Sequence, residues 1–252
     1  MFTIENYDDN DDVEILEQGG PFSVIQYIRD LSCTPSEAQT KYFMSMQNVT
    51  KKQIMCNLDN STVKLQKGAM QWMVGDVQMS SGIKGVGDAV GKMFKGKVTG
   101  EAGTKPEYSG TGVVVTEPTY HYYLVEDMKN WPGGMVLEDG MFCACEGTVD
   151  LSITMRDNIS AVALGNEGLF NLCLKGRGFA VLELSVPREE LITVRLQNDV
   201  LKVDGPYAVA WSPSLKFTVE KSGKSLFGSA ASGEGLVNVY CGTGVVLMMP
   251  QV

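Results

Sequence analysis

The chain has 252 residues, with 44% apolar and 20% charged side chains, enough to bury a core of ordinary globular size. Its formal charge of −9 repels phosphate backbones, so nucleic acid is not an expected partner. With 28 glycines against 9 prolines, the composition favours many short strands joined by tight turns.

The first residues gather Asp8, Asp9, Asp11, Asp12, Glu14 and Glu17. No calcium-loop spacing follows, and residues 1–20 read as a solvated, flexible acidic tail. The opening lacks the basic and apolar runs of a secretory leader, and no apolar stretch is long enough to predict a spanning helix. Residues 21–47 read as an extension made of one strand and one helix. The strand is carried by Phe22, Val24 and Ile25 through Ile28. Thr34-Pro35-Ser36-Glu37 has the order of a capping box with proline at the first helical position, which predicts a helix over 35–47. Ala38, Tyr42 and Met46 fall one turn apart and should pack that helix on the body.

From residue 48 to 252 the pattern is all-β, and it repeats. Gly110-Thr111-Gly112, Gly176-Arg177-Gly178 and Gly242-Thr243-Gly244 each lead into an apolar strand, and their starts are 66 residues apart. Glu101, Glu167 and Glu234 precede these pairs by 9, 9 and 8 residues. Gly68-Ala69-Met70, Asp139-Gly140-Met141 and Asp204-Gly205-Pro206 open the units. Three modules are therefore expected, over about 48–118, 119–186 and 187–252. The glycines suit turns or bulges needing positive φ. The three glutamates read as structural carboxylates that accept hydrogen bonds from turn N–H groups.

Gly85-Val86-Gly87-Asp88-Ala89-Val90-Gly91-Lys92 fails as a phosphate loop, because Val86 stands where the first glycine belongs and Met93 where a hydroxyl must reach magnesium. The segment is instead basic within an acidic chain. Lys84, Lys92, Lys95 and Lys97 accompany Val86, Val90, Met93 and Phe94, which would share a helical face. It suits an ordinary inter-strand loop, a protein or subunit contact, or an anionic membrane surface. His121 is the one histidine, so a two- or three-histidine metal site is excluded within one chain, and no nucleophile elbow accompanies it. Cys143 and Cys145, two apart in a strand, should point the same way, and the six cysteines read as buried free thiols rather than a zinc set. No catalytic residue, metal site, cofactor or small-molecule substrate is expected. Pro187-Arg188-Glu189-Glu190-Leu191 reads as a short helical turn.

These same motifs carry a resemblance. Gly68 to Met73, Lys95 to Glu101, Ala208 to Trp211, Ser232 to Tyr240 and Gly242 to Leu247 resemble, in order, the altered-inheritance-of-mitochondria family in its uncharacterised bacterial branch. The resemblance implies β-sandwich or double-stranded β-helix modules like those of the tryptophan RNA-binding attenuation protein. It also implies symmetric self-assembly, with a trimer favoured, and a scaffold or interaction role rather than an enzyme. RNA or small-ligand binding is the alternative by fold analogy, with a cupin-like metal enzyme behind it. The expected place is the cytoplasm, against a membrane surface or a protein partner.

Overall fold

In the computed structural model, which describes residues 1–81, 105–155, 170–221 and 236–251, the alternating and apolar runs become strands. In chain order these are β1 (Val13–Gly19), β2 (Phe22–Tyr27), β3 (Lys52–Leu65), β4 (Met70–Ser80), β5 (Glu107–Thr116), β6 (Tyr122–Asp127), β7 (Met135–Leu137) and β8 (Phe142–Glu146). They continue as β9 (Val149–Met155), β10 (Phe170–Gly176), β11 (Phe179–Leu184), β12 (Ile192–Asp204), β13 (Ala208–Trp211), β14 (Lys216–Lys221) and β15 (Leu236–Met248). One α-helix, α1 (Ala38–Met46), lies between β2 and β3. The all-β class expected from the sequence is the class the structure has.

The strands make two antiparallel sheets. The first runs β1-β2-β3-β8-β11-β6, with β5 on β3 and β4 on β5; the second runs β12-β15-β13-β7-β10-β9, with β14 on β15. β5 lies between β3 and β4. β10 lies between β7 and β9, and β11 between β6 and β8. β15 lies between β12 on one side and β13 and β14 on the other.

Two glycine pairs serve bulges. The register of β3 on β5 shifts between Leu58 and Ser61, opposite Gly110-Thr111-Gly112. The register of β12 on β15 shifts between Leu196 and Asp199, opposite Gly242-Thr243-Gly244. In each bulge an asparagine takes a left-handed conformation, Asn60 at φ 44° and Asn198 at φ 54°. Its N–H then donates to the threonine between the glycines: Asn60 to Thr111 Oγ1 at 3.0 Å, Asn198 to Thr243 Oγ1 at 2.9 Å. Asparagine tolerates this region because its short polar side chain can bond locally. Gly110 and Gly242 have φ of 136° and 127°, where a side chain would be strained.

Apolar residues fill the space between and within the sheets. Leu124, Phe142 and Leu182 of the first sheet meet Leu137, Leu174, Val209 and Leu247 of the second in one cluster. Phe22, Ile54, Val114 and Val181 form a core of the first sheet's own. Trp211, Phe217 and Tyr240 stack with ring centroids 5.0–5.3 Å apart in the second sheet's core. Each such aromatic pair adds about 0.5–1.5 kcal/mol beyond its buried area.

Three expectations from the sequence need correction. Residues 1–20 are not a free tail throughout, since Val13–Gly19 is β1 and pairs with β2. Glu14 accepts from Gln26 Nε2 at 2.8 Å, Asp12 pairs with Arg29, and Tyr7 is buried edge-on against Trp72 at 5.4 Å. The helix does not pack by its stripe, because Tyr42 and Met46 are 61% and 66% exposed. Lys41, Met44 and Ser45 face Tyr27, Ile28 and Val49 instead, and Lys41 reaches Asp30 Oδ2 at 3.1 Å. Thr34 Oγ1 donates to Glu37 Oε2 rather than closing a reciprocal capping box, and the helix begins at Ala38.

Cys143 and Cys145 do not share a face. The β8–β11 register is irregular at Cys143, with Phe142 opposite Leu182 and Ala144 opposite Val181. The bulge sends Cys143 into the first sheet's core and Cys145 into the core between sheets. Both are buried free thiols, as are Cys56 and Cys173, whereas Cys33 and Cys241 are exposed. Burial pushes the Cys145 thiol up to about 12, which leaves it unreactive.

Candidate functional site

A cleft opens where the edge of the first sheet, β6, meets the β12–β15 ribbon of the second. Strand alternation builds its walls. Leu124 and Glu126, two apart on β6, face it together, as do Thr193 and Arg195 on β12 and Val245 and Leu247 on β15. The register places Arg195 opposite Val245 and Thr193 opposite Leu247, so the four share one face of the ribbon. The intervening Val194, Leu196 and Val246 pack into the opposite core. Trp131 and Leu191 complete the apolar lining of a cavity of about 490 Å³.

Arg188 stands at one end of this cavity. Pro187 leads into the short 3-10 turn Arg188–Glu190, as expected for that sequence, and the turn aims the guanidinium back at β6. Nη1 donates to Glu126 Oε1 at 3.1 Å, and Nη2 donates to the Val125 carbonyl at 2.8 Å and to Glu17 on β1. The second oxygen of Glu126 accepts from Trp131 Nε1 at 3.0 Å. Both oxygens of this nearly buried carboxylate are therefore occupied. Arg195, by contrast, is exposed and has no hydrogen bond or ion pair among the described residues.

Beyond Arg188 lies a second cavity, also about 490 Å³, which shares that arginine and reaches Glu17, Gln26, Lys52 and Tyr122. Lys52 is fully buried. Its Nζ donates to the Thr50 carbonyl at 3.1 Å and sits 4.1 Å from the Tyr122 ring centre, with no carboxylate paired to it among the described residues. Burial lowers its pKa, and the ring face offsets part of the lost hydration.

Other candidates are placed as follows. His121 Nδ1 lies 3.1 Å from Glu183 Oε1 in an exposed pair at the entry to β6. Among the described residues, no three His, Cys, Asp or Glu side chains gather where a metal ion could sit. Glu101, Glu167 and Glu234 lie outside the described residues, as do Lys84, Val86, Val90, Lys92, Met93, Phe94, Lys95 and Lys97. The strands bordering those stretches pair directly: Ser80 with Glu107, Met155 with Phe170, and Lys221 with Leu236. No described helix is long and apolar enough to cross a membrane.

The cleft residues were not singled out by sequence reasoning. Arg188 bonds to partners 62, 63 and 171 residues away, which no local motif encodes. The available signal was the single Arg195 on an otherwise neutral stretch of a two-faced strand.

Comparison with known proteins adds family and fold. A family model described as "Mitochondrial biogenesis AIM24" matches residues 44–251. An uncharacterised protein of Streptococcus pyogenes serotype M6 is 27% identical, over 73% of this chain and 75% of its own. A crystal structure of a Streptococcus pyogenes protein, from a structural-genomics programme, superimposes with a TM-score of 0.58. That match has 22% identity and covers 80% of this chain and 88% of the other.

Proposed function

The chain belongs to the AIM24 family, and on that premise we propose that it is a non-enzymatic interaction scaffold that assembles with copies of itself. One observation carries the reading, the open edge of β4. This strand runs for eleven residues and, among the described residues, pairs with β5 alone. Asp76 is its one charged residue, it contains no Lys or Pro, and Met73 and Met79 are exposed on it. Soluble monomers guard such edges with charges, prolines or short strands, because an open ladder templates pairing. β12 offers a second long strand, thirteen residues, paired with β15 alone among the described residues. Pairing of β4 on one copy with β12 on the next would be a head-to-tail contact, which forms a ring where the rotation between copies closes, and we propose a ring of three.

The test is the solution mass by light scattering. Wild type at three times the chain mass, falling to one chain in a Met73→Lys, Met79→Lys variant, supports the reading; wild type at the mass of one chain at all concentrations overturns it.

A second reading places the scaffold in the cytoplasm against an anionic membrane surface, through the basic stretch 84–97. Four lysines against Asp88 in a chain of charge −9 favour it. Flotation with anionic vesicles at low salt, where attraction is greatest, checks it, and protein left in the dense fraction excludes it. The same overall charge opposes RNA as a partner.

A further inference from the structure

We propose that the cavity between β6 and the β12–β15 ribbon is a binding site for a small amphipathic carboxylate, whose charged end meets Arg195. Its apolar part lies along Leu191 and Val245, which keep partial exposure, next to the buried Leu124 and Leu247.

The volume, about 490 Å³, is that of a small-molecule pocket, and its lining is mixed, with these apolar side chains and Trp131 set beside Glu126, Asn130, Arg188, Thr193 and Arg195. The charges decide the sign of the ligand. Glu126 is the one acid of the lining, and its two oxygens already accept from Arg188 and Trp131. Arg188 is likewise committed to Glu126, Val125 and Glu17. Arg195 is the remaining ionic group, and its five donors are unmatched among the described residues. A guanidinium fork matches the two oxygens of a carboxylate in geometry as well as charge.

An alcohol of the same chain length would leave that fork unmatched, and an amine would be repelled by it. Strand pairing at the backbone edge of β12 uses a different surface from the face that carries Thr193 and Arg195. The proposal therefore does not rest on self-assembly.

The experiment is titration calorimetry with sodium decanoate below its micelle concentration, with decan-1-ol and decylamine as comparators. Saturable binding of one decanoate per chain is expected, with decan-1-ol and decylamine each about tenfold or more weaker. Arg195→Gln should weaken decanoate about tenfold or more. Thr193→Trp, which fills the cavity from an exposed strand position, should abolish binding and serves if the first variant fails to fold. Decanoate that gives no saturable heat, or that binds Arg195→Gln as it binds wild type, overturns the proposal.

Discussion

Replacing Arg188 by Met tests whether the cleft is held by one tie. The substitution keeps the length of the apolar stem and removes bonds to three groups: Glu126, the Val125 carbonyl and Glu17. Glu126, with its side chain 11% exposed, would keep only the bond from Trp131. Breaking a fully buried pair costs about 3–5 kcal/mol, because a charge is stranded. The Arg188 side chain is 44% exposed and that of Glu17 25%, so water recovers part of this. The expected loss is about 2–3 kcal/mol. Equilibrium urea unfolding followed by tryptophan fluorescence measures it, with Glu126→Gln and the double variant completing a cycle. A loss below about 0.5 kcal/mol, the range of an ordinary surface pair, would refute the claim that this ion network fixes β1, β6 and the entry to β12 together.

Gly110→Ala puts a Cβ 2.0 Å from the Asp76 carbonyl oxygen at φ 136°, whereas at Gly242 the nearest atom is 3.7 Å away. The first should cost about 3 kcal/mol or more and the second about 1–2, by the same urea assay. Burial works against charge on Asp30, but hydrogen bonds from Lys51, the Ser32 N–H and Lys41 outweigh it and hold the carboxyl at about 2. Its folded pKa is depressed, so its stabilisation is present above the unfolded value near 4 and is lost as pH falls through about 2. Asp30→Asn should therefore cost about 1–2 kcal/mol at pH 6, with the gap to wild type closing towards pH 2 in acid-unfolding curves. Tyr42→Ser with Met46→Ser should change stability by less than about 0.5 kcal/mol, since neither side chain is buried. A larger loss on thermal unfolding would restore the packed stripe.

The parts of the fold that were legible in sequence are those with local causes. Phe22 to Tyr27 reads as a strand from its apolar run, and Pro187-Arg188-Glu189-Glu190 as a turn from its proline. The recurring G-x-G pairs pointed to special backbone, and Gly110, Gly176, Gly178 and Gly242 do have positive φ. What could not be read depends on distant partners. Tyr42 and Met46 have helical spacing, but the helix turns Lys41, Met44 and Ser45 towards Tyr27, Ile28 and Val49, partners that lie outside its own sequence. Cys143 and Cys145 have strand spacing, but a bulge opposite β11 separates them. Asn60 and Asn198 could have been matched as partners of the G-T-G pairs, and that signal was present. The cleft was the least legible feature, because Arg188, Glu126 and Glu17 meet across two sheet edges.

Assembly through the β4 edge is read by amide hydrogen exchange as a function of protein concentration. Exchange in residues 70–80 should slow towards that of β5 as concentration rises, while solvent-facing α1 stays fast. Exchange in β4 that is fast and independent of concentration, or protection that rises elsewhere instead, would contradict assembly through that strand.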